Sequence, residues 1–143
     1  QLPSHAEVIV AEVFPIIIKW HERYLQSLGV PLKAERVRVY EGDVGDLLGL
    51  DDRDRYQAIM LDTDNGPDAT CLSSNAALYD DSGVERIKKS LEPGGVLAVW
   101  SAHSDQKFSQ RLSRHGFSVK TETVRGHRRK GPQHKIFLAT RPK

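Results

Sequence analysis

Cysteine, methionine and long apolar runs are all scarce in this chain. Its 143 residues include one cysteine, Cys71, and one methionine, Met60. A lone cysteine excludes an intrachain disulfide and fits a reducing, cytoplasmic setting. The longest apolar runs, Val8 to Ala11 and Val13 to Ile18, are separated by Glu12. Both fall short of the roughly 20 apolar residues that a membrane-spanning helix needs, so no membrane partner is expected. No basic stretch precedes an apolar one at the N-terminus, so no secretory leader is read there. The histidines at 5, 21, 103, 115, 127 and 134 show no metal-ligand spacing, and no metal site is expected.

What is present fits one soluble globular domain over residues 1–143, with 38% hydrophobic and 28% charged residues. The formal net charge of +2 hides an asymmetry. Residues 1–100 carry 10 Lys/Arg against 17 Asp/Glu, a balance of −7; residues 101–143 carry 11 against 2, a balance of +9. A basic tail fits an anionic partner such as nucleic acid. The solvated, basic edge of an α/β domain is the expected reading.

The valine-rich run Glu7 to Phe14 predicts a buried strand. Pro15 suits the first turn of a helix running to Leu28, with Ile17, Trp20 or His21, Tyr24 and Leu28 on one face and Gly29 as its stop. Arg36 to Tyr40 and Tyr56 to Asp62 predict two further strands, with a loop or short helix over Asp43 to Leu50 between them. Asn65-Gly66-Pro67 marks a turn, Ser74 to Tyr79 a helical turn, and Ser82 to Leu91 a helix. Pro93-Gly94-Gly95 breaks the chain before an apolar strand, Val96 to Trp100. Ser104 is the expected cap of a helix to His115 that buries Phe108 and Leu112. Phe117 to Val124 and Lys135 to Thr140 then form an antiparallel hairpin around a basic loop, Arg125 to His134. Trp20 and Trp100 are expected in the core or at its edge. Alternating strands and helices predict a Rossmann-like α/β fold, with a mainly parallel sheet and helices on both faces.

In open parallel sheets ligands bind beyond the carboxyl ends of the strands. Three acidic positions stand there. Glu12 closes the first strand, where a carboxylate can hold a ribose diol or favour the N-terminus of the following helix. Asp43, in Glu41-Gly42-Asp43, can accept from an adenine amino group or close an Asx turn. Asp62 and Asp64 follow an apolar strand; two neighbouring carboxylates are costly unless they meet a cation, a metal or a proton. They suit an amine substrate, with one as its general base, a divalent metal, or a solvated loop. Cys71 has no basic neighbour in sequence and reads as an inert thiol.

Taken in order, Val8 to Pro15, Glu41-Gly42-Asp43, Asp62 and Leu91-Glu-Pro-Gly-Gly-Val-Leu-Ala-Val-Trp100 resemble class I S-adenosylmethionine-dependent methyltransferase folds. Within that fold, Leu61-Asp62-Thr63-Asp64-Asn65-Gly66-Pro67 with Ala77-Leu78-Tyr79 resembles spermidine synthase-like proteins. The resemblance implies aminopropyl transfer from decarboxylated S-adenosylmethionine to a polyamine. Glu12 would bind the ribose and Asp43 the adenine. Asp62 would accept a proton from the attacking amine, and Asp64 and Tyr79 would bind the polyamine. Only Thr63 separates Asp62 from Asp64, where the family has two residues. The resemblance also implies that the chain begins at the family's second strand, without the first strand and its Gly-rich loop; the strand edges of such an incomplete sheet need a partner, which makes a homodimer an option. Two further functions fit the same pattern: an S-adenosylmethionine-dependent methyltransferase acting on RNA or a small molecule, and a non-catalytic binding or assembly module.

Overall fold

A computed structural model describes residues 2–3, 5–28, 31–49, 55–63, 66–67, 75–127 and 130–143. The chain divides into two compact units, Gln1–Leu47 and Leu48–Lys143.

The first unit is a strand–helix–strand. The β-branched run of β1 (Val8–Glu12) pairs in parallel with β2 (Val37–Glu41), from Val8 opposite Val37 to Glu12 opposite Glu41. Helix α1 (Pro15–Tyr24) begins on proline, whose missing N–H costs nothing at that position. It ends four residues before the predicted Leu28, and a short 3-10 turn, Gln26–Leu28, follows. The predicted buried face of α1 is a correction: Ile17 and Tyr24 are exposed, and Trp20 is 51% exposed rather than a core aromatic. The reason is one of area. Two strands offer too little apolar surface to cover a ten-residue helix.

The second unit holds the core. Its four strands lie in the order β3-β4-β6-β5: β3 (Tyr56–Leu61), β4 (Leu91–Ser101), β5 (Ser118–His127) and β6 (Lys130–Thr140). β3 and β4 run parallel, while β6 is antiparallel to both β4 and β5, so the sheet is mixed and closes on the expected C-terminal hairpin. Helices α2 (Ala76–Tyr79), α3 (Asp81–Ser90) and α4 (Gln106–Arg114) complete the unit. Leu97 and Val99 of β4, Phe137 and Ala139 of β6, Val84 and Ile87 of α3, and Phe108 and Leu112 of α4 form the buried face. Each of these side chains larger than alanine stabilises the fold by roughly 1.5–3 kcal/mol. The opposite face begins at Met60, 80% exposed, which stands opposite Ala98, and through it Leu138, in the ladder.

Three predicted boundaries move. Pro93-Gly94-Gly95 does not end the previous segment but lies inside β4: Tyr56 pairs with Leu91 and Ala58 with Val96, so the extra residues bulge. Arg141 holds the bulge by exchanging backbone hydrogen bonds with Gly94 and Gly95, each 2.9 Å. Its guanidinium also donates to the carbonyls of Lys88 and Leu91, where a cation suits the end of α3. Asp105, not Ser104, caps α4, its Oδ1 accepting from the Phe108 N–H at 2.9 Å. The hairpin strands run on through most of the predicted basic loop, with His127 opposite Lys130; Arg128 and Arg129 lie outside the described residues. Trp100 is half-buried and packs against His134, ring centres 5.1 Å apart.

Candidate functional site

The first unit places Glu12 and Asp43 at adjoining carboxyl ends of two paired strands. The Gly42 N–H donates to the Glu12 carbonyl at 3.1 Å, extending the ladder to the residue before Asp43. The Glu12 carboxylate turns back on its own connection, Oε1 accepting from the Phe14 N–H at 2.8 Å. That bond makes the tight passage from β1 into α1 possible. Asp43 acts alike: its Oδ1 accepts from the Gly45 N–H at 2.8 Å and opens a 3-10 turn, Val44–Leu47. The Asx turn anticipated for Asp43 is therefore present, whereas Glu12 meets the N–H of the residue before α1 and caps no N–H of the helix itself. Among the described residues no protein donor meets the second oxygen of either carboxylate.

Sequence reasoning passed over Tyr40. Its ring lies across Gly42 so closely that a Cβ there would sit 2.7 Å from Tyr40 Cε1. Only glycine leaves room. The phenol donates to Asp46 Oδ2 at 3.3 Å. Burial, reinforced by the negative charge of Asp46, pushes its pKa up from the ordinary value, so it stays a neutral donor.

In the second unit Asp62 is the first residue beyond β3 and is exposed. Asp64 lies outside the described residues. Tyr79 does not face outward. It is 2% exposed, and its hydroxyl lies 2.6 Å from Thr63 Oγ1, directly beside Asp62. Its ring meets Phe108 edge-on at 5.6 Å, and Phe108 meets Phe137 in the same manner at 5.4 Å. Gly66 has φ +118°, in a region open to glycine, and a Cβ there would fall 2.1 Å from Ser101 Oγ. Asn65 of the predicted Asn-Gly-Pro turn lies outside the described residues; the packing of Gly66 against the buried end of β4 had no local signal.

A curated relative, a spermine synthase from Arabidopsis thaliana, is 30% identical over 95 residues, covering 66% of this chain and 25% of the relative. A spermidine synthase in complex with the transition state analogue AdoDATO superposes with TM-score 0.65 at 12% identity, covering 94% of this chain and 44% of that one. Human methyltransferase-like protein 13 in complex with SAH superposes with TM-score 0.71 at 18% identity, over 96% of this chain and 61% of that one. No family model matches the chain. This is a spermidine synthase-like, class I S-adenosylmethionine-dependent methyltransferase fold. The chain spans a quarter of its curated relative and under half of the spermidine synthase. Within this class I fold, Glu12, Asp43 and Asp62 each stand at or just beyond the carboxyl end of a parallel strand, where α/β folds bind ligands. No helix among the described residues is long and apolar enough to cross a membrane.

Proposed function

We propose that this chain serves aminopropyl transfer, binding an adenosyl donor through Glu12 and Asp43 and an acceptor amine through Asp62. The observation that carries the reading is the state of the first two carboxylates. Each accepts from one backbone N–H, and among the described residues its other oxygen meets no protein donor. A ribose diol and an adenine amino group are donors of the kind those oxygens can accept. The donor is decarboxylated S-adenosylmethionine, and the bound sulfonium supplies the leaving group.

Asp62 is exposed and accepts the proton of the acceptor amine, leaving a lone pair on nitrogen. The amine then forms a C–N bond at the aminopropyl carbon as the C–S bond breaks. The bonding pair leaves with sulfur, giving 5′-methylthioadenosine. Asp64 contributes a second negative charge toward the polyamine. The setting proposed is cytoplasmic polyamine biosynthesis, which the single cysteine supports.

Calorimetry with 5′-methylthioadenosine tests the donor half. The wild-type chain binds it. Asp43→Asn, which keeps an acceptor for Gly45 but loses the charge, binds about tenfold more weakly, the scale of one charge-assisted hydrogen bond. Asp62→Asn binds it normally and transfers no aminopropyl group. A wild-type chain that binds neither 5′-methylthioadenosine nor S-adenosylmethionine sinks the reading.

A second reading, methyl transfer to an anionic acceptor such as RNA, draws on the balance of +9 over residues 101–143 and on the long β5–β6 hairpin that carries much of it. Salt-sensitive RNA binding lost on neutralising Arg128, Arg129 and Lys130 supports it; unchanged affinity removes it.

A further inference from the structure

Asp62 is exposed, yet the backbone just after it is tied to the core. Thr63 follows directly, and its Oγ1 is 2.6 Å from Tyr79 Oη. A buried phenol without a partner is costly, so this hydroxyl pair couples the turn to the core. Tyr79 itself is fixed from three sides. Its ring stands edge-on to Phe108 at 5.6 Å. Its carbonyl accepts from Arg111 Nη1 at 2.8 Å. The next residue, Asp80, caps α3 by accepting from the Gly83 N–H at 2.7 Å. Further along, Gly66 abuts the fully buried Ser101, whose hydroxyl donates to the His103 carbonyl at 2.8 Å. Threonine also suits its place: a β-branched side chain has few χ1 choices, so holding its hydroxyl holds its backbone.

We propose that Tyr79 is a positioning residue, acting through Thr63 to fix the direction in which the Asp62 carboxylate meets an incoming amine. This role differs from polyamine contact, because the phenol is buried and already bonded. It rests on the reading that Asp62 receives the amine proton. A pre-set carboxylate loses little freedom on binding, which is how a single buried contact raises affinity for one ligand only.

Tyr79→Phe keeps the ring and its stack on Phe108 but removes the hydroxyl. Thr63→Val removes the other half of the pair without touching the core, and Thr63→Ser restores it. In the full chain, two quantities are read for each variant: amide hydrogen exchange at Asp62 and Thr63, and putrescine affinity by calorimetry with 5′-methylthioadenosine present. Exchange quickens and putrescine affinity falls, each by about tenfold, in Tyr79→Phe and Thr63→Val, the scale of one lost hydrogen bond. Thr63→Ser returns both toward wild type, and 5′-methylthioadenosine affinity stays constant throughout. Unchanged exchange at both amides in Tyr79→Phe and Thr63→Val overturns the proposal, as does a parallel loss of 5′-methylthioadenosine binding. A wild-type chain that binds no putrescine removes the functional reading alone, since the exchange measurement still decides whether Tyr79 fixes the Asp62 backbone.

Discussion

Gly66 lies against Ser101 so tightly that a single added carbon would fall 2.1 Å from the serine hydroxyl. Ser101 is fully buried at the end of β4 and cannot retreat. Gly66, four residues past Asp62, is thereby registered against β4.

Gly66→Ala meets both that overlap and a φ of +118°. Overpacking and backbone strain of this kind together cost about 2–4 kcal/mol. Urea denaturation of the two proteins should show the loss as a lower midpoint at unchanged slope. A loss under about 0.5 kcal/mol, the range of ordinary surface changes, would contradict the packing described.

Asp105 and Ser104 offer a direct comparison. Asp105→Ala removes the acceptor of the Phe108 N–H and should cost about 1 kcal/mol. Ser104→Ala should stay within about 0.5 kcal/mol. Thermal melts of both variants distinguish the two caps, and the reverse order would place the cap on Ser104.

Asp81 at the start of α3 meets His115 Nε2 at 3.0 Å. That hydrogen bond, helped by Arg114 and Arg111, holds its carboxyl below the ordinary value. A carboxyl lower in the folded than in the unfolded state binds fewer protons there. Its contribution is present above the unfolded value, about 3.9, and fades as pH falls through the folded value. The gap in melting temperature between wild type and Asp81→Asn should therefore be open at pH 6 and close below about pH 4. A gap that widens on acidification would contradict the assignment.

The second unit was largely legible in sequence because its strands and helices carry strong periodic signals. Val84, Ile87, Phe108 and Leu112 sit at helical spacing and are all buried. The first unit was legible in its strands but not in its helix. The stripe of Ile17, Trp20 and Tyr24 has the right spacing, yet spacing says only which residues share a face, not what covers it. The bulge at Pro93 to Gly95 was hidden for a related reason. Its stabilising partner, Arg141, lies far along the chain, and no local pattern announces such a bond.

By itself the sequence determined the order of elements, the Rossmann-like α/β class with its closing hairpin, and the acids at or just beyond the strand ends, since each follows from local propensity and period. The bonds of Glu12 to the Phe14 N–H and of Asp43 to the Gly45 N–H span two residues and are local, but the surroundings of Asp62 were left to the tertiary structure. It drew Tyr79, sixteen residues away, to the hydroxyl beside Asp62. Such contacts depend on where packing sends a distant side chain, and a buried hydroxyl must find a partner wherever the fold leaves one.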